Sequence, residues 1–235
     1  MKVLLIGYGK MGKTIEAIAK ERGHTIAGIV DNQSELTSFS GQADVAIEFS
    51  QPEAAIGNLK FCFDNNIPVV CGTTGWLDHK SEIESYCLQK NGGFFYASNF
   101  SLGVNLFFKL NERLAQLMRP YPAYRVSMDE THHTQKKDAP SGTAITIAES
   151  IIKNQPLIKE WHLGETSNPA AIVIRAHRVD PAPGTHKVTY HSEIDDIEIT
   201  HTAHSRKGFA QGAVIVAEWM VNRAGIYSMD DFLNL

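Results

Sequence analysis

The stretch from Glu130 to Ala144, E-T-H-H-T-Q-K-K-D-A-P-S-G-T-A, gathers groups that move protons and groups that hold anions. Histidine is the side chain best suited to giving and taking protons near neutrality. His132 and His133 are neighbours at the end of a predicted strand, so their side chains leave on opposite faces. One is then free to meet a reacting atom while the other holds a substrate group. Lys136 follows, either as a second proton donor or as a carboxylate anchor. Pro140, Ser141, Gly142 and Thr143 open a predicted helix, where hydroxyls and unpaired backbone N–H groups face an anion. Cations beside such a turn point to a small substrate carrying one or more carboxylates.

Each of these residues alone has a plainer explanation. A histidine on a strand is usually surface or satisfied core, and Ser-Gly-Thr before a helix is more often only a cap. The combination is what carries the chemistry. His162, His177, His186, His191, His201 and His204 receive no catalytic role, and His201 with His204 lacks an acid or cysteine to complete a metal site. No metal is expected.

The elements that position this stretch begin with a glycine-rich loop. Lys2 to Ile6 is a short apolar run, ended by Gly7-Tyr8-Gly9-Lys10-Met11-Gly12. A helical pattern follows through Ile15, Ala19 and Arg22, then a strand from His24 to Val30 that ends at Asp31. Strand, glycine turn, helix, strand and acid in that order predict a dinucleotide site, with the pyrophosphate at the helix start. Asp31 is placed to accept hydrogen bonds from the adenosine ribose hydroxyls. Its carboxylate would repel a 2′-phosphate, and Asn32 follows it rather than an arginine, which favours NADH over NADPH. Lys10 and Lys13 leave use of both open.

Strands at Asp44 to Phe49, Ile67 to Cys71 and Gly93 to Ala97 alternate with helices at Pro52 to Asn65 and Leu77 to Lys90. The turn Gly72-Thr73-Thr74-Gly75 reads either as a ligand turn at a strand's C-terminal end or as a plain loop. Ala97, Ser98, Asn99 and Phe100 end the repeat at the same edge. The pattern then changes. A long helix from Val104 to Met118, a strand from Tyr124 to Thr131 and a helix from Thr143 to Lys153 precede strands at Ala171 to Arg178, His186 to His191 and Asp196 to His204. Consecutive strands without helices between them predict a second, α+β domain with a mixed, largely antiparallel sheet. A last helix is predicted from Ala210 to Asn222.

The 235 residues, 43% hydrophobic and 20% charged, suffice for one large domain or two small ones. A net charge of -4 spread along the chain gives no basis for a nucleic-acid tail or a membrane-surface patch. No apolar run reaches the ~20 residues of a membrane span. Cys62, Cys71 and Cys87 lack metal-ligand spacing and read as reduced thiols of a cytoplasmic protein.

The central stretch resembles the signature of dihydrodipicolinate reductases, also called 4-hydroxy-tetrahydrodipicolinate reductases, of bacterial lysine and diaminopimelate synthesis. GYGKMG at the start, CGTTG at 71–75, SNFSLGVN at 98–105 and SRKGFAQGA at 205–213 agree in order, so the resemblance spans essentially the whole chain. It implies an α/β fold: a Rossmann domain at 1–103 and 206–235, and a substrate and oligomerisation domain at 104–205 whose sheet builds a homotetramer. It implies hydride transfer from NADH or NADPH to a cyclic imine dicarboxylate, with loss of water from the 4-hydroxy form. Carried over by position, His132 matches the proton donor and acceptor and Lys136 a proton donor. His133 and Gly142-Thr143, with Ser141 beside them, match the grip on the substrate carboxylates. Gly7, Tyr8, Gly9, Lys10, Met11, Gly12, Gly72, Thr73, Thr74, Ala97, Ser98, Asn99 and Phe100 match nucleotide contacts, and Arg206 and Phe209 match positions near the nicotinamide. The chain departs from the family pattern in a shorter first glycine loop and in Asn32, often an arginine. Another imine or keto-acid reductase, or a non-catalytic dinucleotide sensor, would share the nucleotide half without needing His-His, Lys136 and Ser-Gly-Thr together.

Overall fold

The computed structural model describes residues 1–39, 42–205 and 207–234. In chain order the first elements are β1 (Lys2–Ile6), α1 (Lys10–Glu21), β2 (Thr25–Val30), α2 (Gln33–Ser38), β3 (Val45–Glu48), α3 (Pro52–Asp64) and β4 (Val69–Cys71). A 3-10 turn at Leu77–His79 leads into α4 (Lys80–Gln89), then β5 (Gly93–Tyr96), α5 (Leu102–Met118), β6 (Arg125–His132) and α6 (Gly142–Asn154). The remainder comprises β7 (Glu160–Leu163), β8 (Ala171–Arg178), β9 (Gly184–His191), β10 (Asp196–Ala203), α7 (Lys207–Met220), β11 (Gly225–Tyr227) and α8 (Met229–Leu233). The chain divides into two compact units, Met1–Leu102 with Lys207–Leu235, and Gly103–Arg206.

The first unit is a parallel sheet in the order β11-β5-β4-β3-β1-β2. Its strands read as near-continuous apolar runs because both faces are covered. Val3, Leu5, Val45, Ile47, Val70 and Phe95 pack with α1 and α7 on one face. Leu4, Ile6, Ala46, Val69, Cys71 and Phe94 pack with α3 and α4 on the other. Connections diverge from β1, which lies between β2 and β3, so the C-terminal edge at β1 and β3 is the switch point where such sheets take ligands.

The second unit holds a sheet in the order β10-β9-β6-β8-β7. Pairings of β9 with β10 and with β6 are antiparallel, while β6 with β8 and β8 with β7 are parallel. The sheet is therefore mixed, as expected, with its longest ladders antiparallel. The unexpected member is β7, a short, mostly exposed strand with no apolar alternation to mark it in the sequence. The β6 residues alternate: Val126, Met128, Glu130 and His132 are buried, while Ser127 and Asp129 lie on the other face. Helices α5 and α6 cover the buried face through Phe107, Ala115, Ala144, Ile147 and Ile151.

Candidate active site

At the C-terminal edge of the parallel sheet, the ends of β1, β2, β4 and β5 carry Gly7, Asp31, Gly72 and Ala97. Gly7 has φ +89°, and a Cβ there would lie 2.0 Å from the Phe49 carbonyl oxygen. A Cβ on Gly12 would lie 2.3 Å from the Gly7 carbonyl oxygen. Both glycines are demanded by the packing of the turn itself. Gly9, at the N-cap of α1, has nothing within 4 Å of its Cβ position, so the chain's own packing does not require it. A glycine that leaves open space at a helix start, with no acid in the first turn, fits a dinucleotide pyrophosphate.

Tyr8 donates its backbone N–H to Asp31 Oδ1 at 2.8 Å, which fixes the exposed carboxylate beside the glycine loop. Glu35 Oε2 accepts the Asp31 N–H at 2.8 Å, a second carboxylate in the same place. Asn32 caps α2, its Oδ1 accepting from Glu35 N at 3.0 Å and Ser34 Oγ at 2.6 Å. Thr73 is buried, its hydroxyl accepting the Ser50 N–H at 2.8 Å and its carbonyl the Trp76 indole N–H at 2.7 Å, whereas Thr74 and Ser98 are exposed. Phe100 packs on Phe49 and Phe95, and the Gly212 backbone of α7 presses on its carbonyl. Lys10 is exposed, Met11 and Phe209 are half-buried, and Asn99 Oδ1 accepts the Ser101 N–H at 2.9 Å. Arg206 lies outside the described residues.

One group at this edge has no role in the sequence reading. Glu48 ends β3 fully buried, accepting from Ser50 Oγ, from Asn58 Nδ2 at 3.2 Å and from Cys71 Sγ at 3.1 Å. Burial beside this carboxylate pushes the Cys71 thiol well above its ordinary range, so it is an inert core thiol.

The second unit gathers the histidine chemistry. His132 faces inward and is buried, whereas His133, one residue on, is half-buried. Glu130 shares the inward face and is 1% exposed. Ser141 donates its backbone N–H to both Glu130 carboxylate oxygens, at 3.2 and 3.1 Å, and its hydroxyl caps α6 by accepting the Ala144 N–H at 3.2 Å. Gly142 and Thr143 form the first turn of α6, which contains no acid. Lys136 places its ammonium on both Asp138 oxygens, at 2.8 and 2.7 Å.

Three residues given no role in the sequence reading complete the cluster. Arg178, opposite His132 in the β6–β8 register, reaches Glu130 Oε1 at 3.4 Å, the Lys136 carbonyl at 3.2 Å and the Asp138 carbonyl at 2.6 Å. The His186 ring meets the His132 ring edge-on at 5.1 Å, and its Nε2 lies 3.1 Å from Ser141 Oγ. A Cβ on Gly184 would lie 3.2 Å from His132 Nε2, so a side chain at 184 would crowd that nitrogen. The period-2 alternation of β6 was a signal for Glu130, two residues before His132. Donor atoms of Glu130, His132 and His186 lie within 4.8 Å of one another, a metal-competent grouping by composition. Arg178 already supplies that carboxylate with a cation.

Electrostatics follow from this packing. Burial raises the Glu130 carboxyl, but His186, the Ser141 bonds and His132 outweigh it and bring it to about 2. Burial lowers His132 to about 4, opposed by Glu130 and reinforced by His186, Lys136 and Arg178. At neutral pH the cluster therefore holds an ionised Glu130 and a neutral His132. The charges of Lys136 and Arg178 suit an arriving carboxylate.

Comparison with known proteins gives a consistent result. Residues 1–100 match the family model described as dihydrodipicolinate reductase, N-terminus, and residues 103–233 match dihydrodipicolinate reductase, C-terminus. The 4-hydroxy-tetrahydrodipicolinate reductase of Christiangramia forsetii is 50% identical over 237 residues, covering 100% of this chain and 98% of the relative. That of Alkaliphilus oremlandii is 34% identical over 242 residues, covering 100% and 99%. In fold, the chain is similar to a dipicolinate-bound dihydrodipicolinate reductase from Paenisporosarcina sp. TG-14, with a TM-score of 0.73 and 23% identity across 97% of both chains.

Proposed function

The chain belongs to the dihydrodipicolinate reductase family, and on that premise we propose that it reduces 4-hydroxy-tetrahydrodipicolinate to tetrahydrodipicolinate, releasing water and preferring NADH over NADPH. The observation that carries the reading is the convergence of Glu130, His132 and Ser141 at the start of α6. Bound at the glycine loop, a reduced nicotinamide dinucleotide supplies a hydride. Gly7, Gly9 and Gly12 hold its pyrophosphate at α1, and Asp31 accepts from the ribose hydroxyls. Tyr8, Lys10, Met11, Gly72, Thr73, Thr74, Ala97, Ser98, Asn99, Phe100, Phe209 and Arg206 are assigned to the same nucleotide by their match to the family pattern. Asp31 and Glu35 together oppose a 2′-phosphate, and Asn32 is engaged as a cap, which supports the NADH preference.

His133, Gly142 and Thr143 hold the two substrate carboxylates, with the α6 dipole favouring negative charge there. Ser141 acts on the protein side, tying α6 to Glu130 and His186. Hydride addition is matched by one proton, and His132 handles it. The substrate's negative charge next to His132 offsets burial and favours its protonated form. Lys136 stands beside it as proton reserve or carboxylate anchor. The C4 hydroxyl leaves as water, so the balance is one reduced nucleotide and one proton consumed per product and water formed.

The second unit's sheet supports homotetramer formation. A cavity of about 1050 Å³ in this unit is lined by Arg125, Asp129, Arg175, Lys187 and Glu198 among others. Among those residues no helix is long and apolar enough to cross a membrane. Cys62, Cys71 and Cys87 are free, which supports a cytoplasmic setting.

The deciding experiment is a spectrophotometric assay with freshly generated substrate, NADH and NADPH side by side. Substrate-dependent loss of reduced-nicotinamide absorbance, faster with NADH at limiting nucleotide, is the expected result. A chain that binds NADH but never oxidises it would be a sensor and would end the reductase reading.

A further inference from the structure

Glu130 Oε2 stands 3.7 Å from His132 Nδ1 and 3.7 Å from His186 Nε2. At that separation neither is a hydrogen bond, and a small ring rotation would close one of them. Ser141 decides which. Its hydroxyl lies 3.1 Å from His186 Nε2, so that nitrogen already has a hydrogen-bond partner. His132 Nδ1, by contrast, is buried without a hydrogen-bond partner among the described residues. The carboxylate is thus left for His132.

We propose that Glu130 is a positioning residue for His132: its carboxylate accepts a hydrogen bond from Nδ1–H, turns Nε2 outward past Gly184, and supplies the charge that lets the ring hold a second proton. His186 is its counterweight, holding the Ser141 turn while disfavouring positive charge on His132. A buried acid that sets the tautomer and stabilises the imidazolium is the general logic of His–carboxylate pairs. The inference rests on the proposed role of His132 in handling the proton. The charged and titratable groups acting on that ring are Glu130 from its own strand, Lys136 from the following loop, Arg178 from β8 and His186 from β9.

The test is a pH series of turnover for Glu130→Gln and His186→Gln, with NADH affinity measured by fluorescence. Glu130→Gln keeps the size and one acceptor oxygen while removing the charge. It is expected to cut kcat roughly 10–100-fold with NADH affinity unchanged. The limb of the profile governed by His132 should move down by about one pH unit or more, whereas His186→Gln should move it up. Displacement in opposite directions is something loosened packing does not produce. An unmoved limb in Glu130→Gln, or the same displacement in both variants, overturns the proposal. Should Glu130→Gln fail to fold, His186→Gln decides alone, and an unmoved limb there is equally fatal. Proton NMR of the His132 ring reads the same displacements without turnover. A wild-type chain inactive on the substrate would therefore sink the proposed reaction while leaving this test intact.

Discussion

The Tyr8 backbone N–H donates to Asp31 Oδ1 at 2.8 Å, joining the residue inside the glycine loop to the acid that ends the neighbouring strand. This bond holds the Asp31 carboxylate ready before any nucleotide arrives. A hydrogen bond to a charged group contributes about 1.5–3 kcal/mol. Replacing Asp31 by Ala should raise the KM for NADH on the order of 10–100-fold and that for NADPH far less. Equal losses for the two nucleotides would remove Asp31 from the ribose.

His132→Gln should lower kcat by roughly 10²-fold or more, the usual contribution of a positioned acid. NADH affinity, measured by fluorescence, should stay unchanged, because His132 is not among the residues assigned to the nucleotide. Undiminished turnover would move the proton to Lys136.

The same residue should leave a mark on stability. His132 is lowered to about 4 from an ordinary 6.5, so in acid the unfolded chain takes up a proton that the folded chain refuses. Stability present above pH 6.5 is then lost as pH falls through 6.5 toward about 4. Glu130, lowered to about 2, adds a further loss between its ordinary 4.5 and that value. The His132 part is on the order of 1–3 kcal/mol. Urea midpoints measured across this range should fall in the wild type and flatten between pH 6.5 and 4 in His132→Gln. Parallel curves would mean the ring titrates normally.

A homotetramer built on the second sheet should give four chain masses by light scattering. Arg125, Asp129, Arg175, Lys187 and Glu198 line the cavity beside that sheet. Charge reversal at Lys187, which pairs with Glu198 at 3.0 Å, should push the distribution toward smaller species. A wild type that runs as a monomer would leave the sheet without this role.

How much of this was legible in the sequence depends on how local each signal is. Lys2–Ile6, the glycine loop and Asp31 sit in one βαβ unit, so order along the chain alone places them together. The start of α6 was legible for the same reason, since Ser141 caps its own helix. Glu130 with His186 and Arg178 was not. Those contacts depend on the β6–β9 and β6–β8 registers, which pair Glu130 with His186 and His132 with Arg178. A one-residue slip would turn each side chain to the other face, and nothing in a single sequence settles that register. Short elements such as β7, β11, α2 and α8 were missed because they carry too few turns or alternations to show a period.

The glycines of the first loop offer a separation that ordinary mutagenesis of a binding site does not. Gly12→Ala would put a Cβ 2.3 Å from the Gly7 carbonyl oxygen, a contact that backbone on both sides must relieve. Overpacking of this kind costs about 1–3 kcal/mol or more, so Gly12→Ala should lower the thermal midpoint and lose activity as folded protein is lost. Gly9→Ala meets nothing within 4 Å, and Gly9 already has φ -74°, which alanine adopts freely. Its thermal midpoint should stay close to the wild type, within the modest cost of alanine at an N-cap. Yet the new methyl would stand where a pyrophosphate must approach the α1 N–H groups, so NADH affinity should fall on the order of tenfold or more. Melting curves and NADH titrations of the two variants check both halves. If Gly9→Ala binds NADH normally, the open space at Gly9 is not kept for a phosphate, and the nucleotide lies elsewhere on the sheet edge.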